Sequence, residues 1–198
     1  MTDGVDNGKR RFLTIAAYSG VAAVGAGFAA VPFIASWNPS ARAKAAGAPV
    51  EAEFSKLQPG QMLRVEWRGQ PVWVLRRTEK TLNDLPKLNN ELRDPASLVE
   101  TQQPAYTKNA SRAIKSEYLI VIGICTHLGC SPTYRPEIAP EDLGDKWRGG
   151  YFCPCHGSRF DLAGRVYKNV PAPTNLVVPK HMYLSDTHII IGVDGETA

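Results

Sequence analysis

The hydrophobic pattern divides the chain into one long apolar stretch near the N-terminus and a longer part built of short apolar runs. Residues 12–37 contain no charged side chain and consist mainly of Ala, Val, Gly, Phe and Ile. About 20 helical residues are enough to cross a bilayer, so the stretch is predicted to be a transmembrane helix. A cleaved signal peptide usually has a shorter apolar core, of about 7 to 15 residues, so we expect the helix to be kept as an anchor.

Basic residues precede this helix. The run Lys9-Arg10-Arg11-Phe12-Leu13 resembles a twin-arginine export signal. A plain positive anchor on the cytoplasmic side explains the same residues. Both interpretations place residues 1–11 in the cytoplasm and the residues after the helix on the other side of the membrane.

The segment that follows the apolar stretch has the composition of a linker. Residues 38–49 are mostly small, include two prolines and show no apolar periodicity, which indicates a flexible hinge. Residues 50–198 are enough for one domain with its own core.

This domain is predicted to be mainly β-structure, because its apolar residues form short runs with β-branched and aromatic side chains. Helical character is expected only around 78–92. The fold class is therefore all-β: an antiparallel β-sandwich or barrel-like domain after a single N-terminal helix. The predicted strands are 51–54, 62–67, 71–77, 118–124, 150–152, 175–178 and 188–193.

Charge narrows the possible functions only a little. The net charge is +4, and no stripe of aromatic and basic residues points to a nucleic-acid interface. His181 and His188 lie outside every motif and are assigned no role.

Two short motifs carry most of the chemical information. Cys125-Thr-His-Leu-Gly-Cys130 and Cys153-Pro-Cys-His-Gly-Ser158 contain all four cysteines and two of the four histidines. Each brings one Cys and one His close together, so the pair could supply two thiolates and two imidazoles to a tetrahedral zinc ion. Zinc would leave Cys130 and Cys155 unexplained. A two-iron cluster with mixed ligands is the other possibility.

The two motifs resemble the signature of Rieske iron-sulfur proteins, in the version found in quinol-oxidising cytochrome bc complexes of proteobacteria. The resemblance extends over anchor, hinge and head. It implies one [2Fe-2S] cluster in loops at one tip of the domain, within about 122–160. It also implies the metal ligands Cys125, His127, Cys153 and His156, and a disulfide between Cys130 and Cys155. A disulfide is consistent with the periplasm, where thiols are oxidised.

This set of ligands suits quinol oxidation. Two thiolates and two neutral imidazoles leave the oxidised cluster uncharged, which raises its potential above that of an all-cysteine ferredoxin. The second ring nitrogen of a ligand imidazole can also take a proton. The resemblance implies that His156 is the catalytic ligand that faces quinol, with His127 as the weaker candidate.

Several neighbours are expected to shape the site. Gly129 and Gly157 either let backbone N–H groups approach the cluster sulfurs or serve tight turns. The Ser158 hydroxyl is expected to donate a hydrogen bond to the cluster. Leu128 is expected either to form an apolar seal or to pack in the ordinary way. The segment that contains Pro171 and Pro173 resembles the proline loop that covers one side of the cluster in this family, and its two prolines stiffen it.

Two features depart from many members of this family. Phe160 stands where many relatives have a Tyr whose hydroxyl reaches a ligand sulfur. We therefore expect a lower reduction potential than in those Tyr-bearing relatives. Residues 135–150 form an insertion rich in Pro, Gly and acidic side chains, and are predicted to be a surface loop.

The resemblance implies the iron-sulfur subunit of a ubiquinol:cytochrome c reductase, anchored by one helix in the bacterial inner membrane with its head in the periplasm. It implies a cytochrome b subunit, a membrane-bound c-type cytochrome and ubiquinol as partners, in a dimeric complex. The alternatives are a subunit of a periplasmic oxidase such as an arsenite oxidase, a Rieske ferredoxin of a ring-hydroxylating oxygenase, and a zinc-stabilised binding domain.

Overall fold

The computed structural model describes Gly4 and residues 6–193. Parts of the expected cytoplasmic segment 1–11 and the last five residues of the expected head domain, 194–198, therefore lie outside the described residues. The chain divides into two units, one up to Ala45 and one from Ala46 onwards.

The first unit is dominated by one long helix. Helix α1 (Asn7–Ser36) has 30 residues, and the Asp6 side chain caps it by accepting from the N–H groups of Gly8 and Lys9. The hydroxyls of Thr14 and Ser36 donate to backbone carbonyls of the same helix, so neither hydroxyl is an unpaired donor. Within the described residues, α1 is the helix that is long and apolar enough to cross a membrane.

The segment predicted as a hinge is not wholly irregular. A short helix, α2 (Ala41–Ala46), lies within it, and the Ser40 hydroxyl accepts from the N–H of Ala43. Four of the six residues of α2 are Ala, which has the highest helix propensity. The composition that indicated a linker is therefore also compatible with one helical turn.

The second unit contains nine described strands in three antiparallel sheets of three strands each, in the orders β1-β9-β8, β2-β3-β4 and β5-β6-β7. The all-β prediction is confirmed. The strands are β1 (Val50–Glu53), β2 (Met62–Trp67), β3 (Gln70–Arg76), β4 (Tyr118–Ile122), β5 (Thr133–Ile138), β6 (Arg148–Phe152), β7 (Arg159–Asp161), β8 (His181–Tyr183) and β9 (His188–Ile191).

One predicted strand is wrong. Residues 175–178 are buried for the most part but form no strand, because their hydrogen bonds go to separate segments. Val177 accepts from the N–H of Ile122, whereas the N–H of Val178 donates to Gln102. Their apolar side chains pack as a loop against the core, which a hydrophobic pattern cannot distinguish from a strand.

The insertion 135–150 lies largely at the surface, as predicted, but its two ends are strands and not loop. Its first residues belong to β5, which pairs with β6, and the register shifts between Arg135 and Ile138. Pro136 lies within this irregular stretch, where a residue without an N–H is tolerated. The Trp147 side chain is almost fully buried and donates to the carbonyl of Arg135. The insertion is thus a packed hairpin.

The predicted helical region around 78–92 is confirmed. Helix α3 (Glu79–Asp84) begins after the Thr78 cap and continues as a 3-10 helix (Leu85–Glu91). Two further 3-10 turns, Glu100–Gln102 and Ala105–Thr107, lie in the connection to β4.

Strands β3 and β4 separate two hydrophobic cores. Trp73 and Leu75 of β3 belong to the core that also contains Cys125 and Cys153, whereas Val72 and Val74 face a second core. Successive side chains of a strand point to opposite faces, so one sheet can supply both cores. The loop that contains Cys125 follows β4 and therefore extends from a wall that is packed on both sides.

A buried ion pair joins the helical connection to the end of β7. The Asp161 carboxylate accepts from Arg165 Nε at 2.8 Å and from the backbone N–H groups of Ala163 and Arg165. The Arg165 guanidinium also donates to the carbonyl of Leu85 at 2.8 Å. Both charged side chains are at most 2% exposed.

Replacing Asp161 with Ala should lower the free energy of unfolding by about 3–5 kcal/mol, because Arg165 would remain as a buried unpaired charge. Denaturation of the full-length protein in detergent measures the loss. Asp186→Ala is the matched control, since its carboxylate pairs with Lys115 at 2.6 Å but is 98% exposed. Exposed pairs contribute about 0–1 kcal/mol. Equal losses in the two variants would contradict the structural role of Asp161.

Candidate metal centre

The first loop (Cys125–Cys130) follows β4 and closes on itself. The N–H of Cys125 donates to the carbonyl of Cys130 at 2.7 Å, and the N–H of Gly129 donates to the carbonyl of Cys125 at 3.1 Å. Gly129 has a φ of +84°, a conformation that residues with a Cβ rarely adopt.

The second loop (Cys153–Ser158) follows β6 and repeats the same turn. The N–H of Cys153 donates to the carbonyl of Ser158 at 2.8 Å, and the N–H of Gly157 donates to the carbonyl of Cys153 at 2.9 Å. Gly157 has a φ of +75°. In both loops the glycine donates its own N–H inside the turn, which shows tight-turn geometry. The approach of backbone N–H groups to the cluster sulfurs stays a prediction.

A disulfide joins the two loops. Cys130 and Cys155 are bonded, with their Cα atoms 6.7 Å apart. The pairing implied by the family resemblance is therefore present in the structure. Because the bond closes the loops on each other, it limits how far they can separate.

The other two cysteines and the two histidines of the motifs lie together at the junction of the loops. Cys125 and Cys153 are unbonded, and each is 2% exposed. Burial raises the pKa of the Cys153 thiol, and the adjacent Cys125 thiol raises it further. The rings of His127 and His156 are perpendicular, with centroids 4.8 Å apart. His127 is half-buried, whereas His156 is exposed.

This arrangement fits a metal group with mixed ligands. The sulfur atoms of Cys130, Cys153 and Cys155 also lie within 4.8 Å of one another. A disulfide, however, has no thiolate to offer, so this trio cannot act as three metal ligands. What remains is two buried sulfurs and two more accessible imidazoles, the donor types that iron-sulfur and zinc sites share.

The proline-containing segment Val170–Leu176 is attached to both loops. The N–H of Ala172 donates to the Ser158 hydroxyl oxygen at 3.0 Å, and the Thr126 hydroxyl donates to the carbonyl of Thr174 at 2.7 Å. Pro171 and Pro173 are exposed on either side of buried Ala172. The segment is thus bonded to both loops, and its role as a cover over the cluster stays a prediction.

The Ser158 hydroxyl forms one hydrogen bond within the protein and can donate another. It is fully buried and its oxygen already accepts from Ala172, so its hydrogen remains available for another acceptor. Leu128, in contrast, is 70% exposed. Of the two explanations given for Leu128, ordinary packing in the core is therefore wrong.

Several residues that support the site were not identified from the sequence. Trp73 stacks on Tyr151 with centroids 4.9 Å apart, and Gly123 leaves room for the Trp73 indole just before the first loop. Arg93 donates to the carbonyls of Val170 and Pro173. The Gly123 position was the available signal, because a glycine at the end of a strand often marks close contact. No sequence pattern indicated Arg93.

Comparisons with known proteins agree with this site. A family model described as "Rieske [2Fe-2S] domain" matches residues 48–181. A second, described as "Ubiquitinol-cytochrome C reductase Fe-S subunit TAT signal", matches residues 1–40. The first match covers more than half of the chain and includes both loops.

Curated relatives carry the same description. The chain is 65% identical to the ubiquinol-cytochrome c reductase iron-sulfur subunit of Allochromatium vinosum, over 98% of this chain and 93% of the relative. Identity to the subunit of Bradyrhizobium diazoefficiens is 42%, over 94% and 96%. For Blastochloris viridis it is 40%, over 96% of each. The chain therefore belongs to the ubiquinol-cytochrome c reductase iron-sulfur subunits, the Rieske [2Fe-2S] electron-transfer proteins of an oxidoreductase complex.

Proposed function

We propose that Cys125, Cys153, His127 and His156 hold the cluster, with the two thiolates on one iron and the two imidazoles on the other. The difference in exposure supports this division. Both cysteines are 2% exposed, whereas His156 is exposed and His127 half-buried. The two cysteines would thus hold the cluster from the core side and the two histidines from the surface side.

The cluster, when bound, supplies a one-electron acceptor whose charge stays low because imidazoles replace two thiolates. The protein's contribution is to stabilise the added negative charge. The Ser158 hydroxyl is buried and has a hydrogen free to donate, so it favours the reduced state. The attached Val170–Leu176 segment excludes water from one side of the site and so strengthens that interaction.

His156 is the residue we assign to contact with quinol. Its exposed imidazole has room to accept a hydrogen bond from a quinol hydroxyl and then to take the proton. His127 is less exposed and serves as the second, more shielded ligand. Leu128, beside it, is an exposed apolar side chain that can exclude water when a partner protein docks.

In the whole chain, this site works as a mobile head on a membrane anchor. Residues 12–37 cross the bacterial inner membrane, 1–11 remain in the cytoplasm, and 38–49 form a hinge that contains α2. The head, 50–198, lies in the periplasm. It takes an electron from ubiquinol at a site shared with the cytochrome b subunit and passes it to a membrane-bound c-type cytochrome, in a dimeric complex that contributes to the proton-motive force.

The observation that carries this proposal is a pair of buried thiols and a pair of accessible imidazoles under one disulfide, in a chain with an anchor helix. The test is a redox-titrated paramagnetic resonance spectrum of membranes, with and without a quinol-site inhibitor. We expect a Rieske signal whose shape responds to the inhibitor. A signal that ignores the inhibitor, in material that lacks b and c haems, would instead indicate a periplasmic oxidase.

The ligand assignment predicts that His156→Gln removes the cluster. Iron and acid-labile sulfide in the purified full-length protein should fall from about two of each per chain to near zero, because a ligand is lost. His188→Gln is the control, since this His pairs with Glu51 on the sheet β1-β9-β8 and lies outside both loops. Retention of a normal cluster in His156→Gln would show that His156 is not a ligand.

Phe160→Tyr should raise the reduction potential by tens of millivolts, because hydrogen bonds to charged groups contribute roughly 1.5–3 kcal/mol and favour the reduced state. Phe160 is fully buried in the core that contains both ligand cysteines. Phe54→Tyr makes the same chemical change in the second core and should leave the potential unchanged. A redox titration of both variants compares them. A fall, or no change, in Phe160→Tyr would contradict the missing-donor account.

A further inference from the structure

A polar cleft of about 350 Å³ lies beside the second loop. Gly157 of that loop forms part of its wall, and the hairpin made by the insertion 135–150 forms another part through Lys146 and Trp147. The remaining wall comes from Glu91, from Arg159 of β7 and from residues 167–170. The cleft is therefore adjacent to the metal centre but is not formed by the four proposed ligands.

The cleft carries excess positive charge. Its charged residues are Lys146, Arg159 and Lys168 against a single carboxylate, Glu91, which gives a formal balance of three minus one, or +2. Lys146 pairs with Glu91 at 2.7 Å. The nearby acid Asp142 forms two hydrogen bonds with Arg135 and does not line the cleft, although its charge also acts on Arg159.

Two of these cations have no acidic partner. The Arg159 guanidinium donates to the carbonyl of Leu143 at 3.2 Å, and the Lys168 ammonium donates to the carbonyl of Asn90 at 2.9 Å. Neither forms an ion pair with a carboxylate in the described part of the chain. A guanidinium presents five N–H donors, so most of those of Arg159 remain available to a ligand.

Tyr167 adds a rigid aromatic side chain to the same wall. Its ring stacks on Trp147 with centroids 5.7 Å apart, and the residue is only 7% exposed. Burial raises the pKa of Tyr167, so the phenol stays neutral and adds no negative charge beside the cleft.

We propose that this cleft binds a phosphate group. A tetrahedral dianion matches the charge of +2, offers several acceptor oxygens and suits the forked donors of arginine. Because Gly157 lines the cleft, the bound charge lies close to the second loop and opposes the addition of an electron there. Phosphate therefore binds more tightly to the oxidised protein. This redox coupling rests on the proposed ligand set, whereas the binding itself does not.

Binding is tested by calorimetric titration of inorganic phosphate into the oxidised full-length protein in detergent, at constant ionic strength. We expect saturable binding that Arg159→Gln weakens at least about tenfold and Lys168→Gln about threefold, in line with the loss of one charged contact each. Lys56→Gln, at an exposed lysine outside the cleft, is the control and should bind normally. Absence of saturable binding, or equal binding in all three variants, would overturn the proposal.

Arg159 is next to Ser158, so its replacement can change the reduction potential directly. The coupling between phosphate binding and reduction is therefore measured as the change in potential that phosphate causes within one protein. The reduction potential of the wild type should fall when phosphate replaces chloride, whereas that of Lys168→Gln should fall less. Binding without any change in potential would retain the site and overturn the coupling. Repeating the calorimetric titration with glycerol phosphate, a soluble dianionic monoester, and with detergent-solubilised phosphatidylglycerol, a monoanionic lipid diester, identifies the source. A site for free phosphate binds the first more tightly, whereas a lipid headgroup site prefers the second.

Discussion

The site depends on one constraint: two loops of equal shape must be held face to face. Each loop makes the same pair of backbone hydrogen bonds and reverses at a glycine with positive φ. The disulfide between Cys130 and Cys155 fixes their separation, and the Val170–Leu176 segment bonds to both through Ser158 and Thr126. Without these links, nothing would hold the four proposed ligands, which come from separate parts of the chain, at one centre.

The rest of the head makes that constraint rigid. Strands β3 and β4 are buried on both faces, so the first loop extends from a wall that cannot shift without disturbing two cores. Strand β6 carries the second loop and pairs on one side with β7 and on the other with β5 of the insertion. Its Tyr151 stacks on Trp73 of β3, which joins the supports of the two loops in one core. The positions of the four proposed ligands thus follow from packing as much as from the motifs.

The motifs predicted the chemistry of the site better than the pattern of apolar residues predicted its scaffold. Both loops could be located from Cys and His spacing alone, because few other functions require those residue types so close together. The strands at the two ends of the insertion were missed because its acids, Pro and Gly are typical of turns, although Leu143 and Trp147 are buried and hold it against the domain. The run 175–178 was mistaken for a strand because burial, not pairing, selects apolar residues there. The second error could not be avoided from local sequence, since the hydrogen bonds of 175–178 go to distant segments.

The central claim is that sulfur and nitrogen ligands share one diiron centre. Pulsed paramagnetic resonance of the reduced full-length protein, which resolves nitrogen nuclei coupled to the iron, tests it most directly. We predict two strongly coupled imidazole nitrogens, and loss of the spectrum when either His127 or His156 is replaced. A diiron spectrum without coupled nitrogen, or stoichiometric zinc in place of iron and sulfide, would contradict the account.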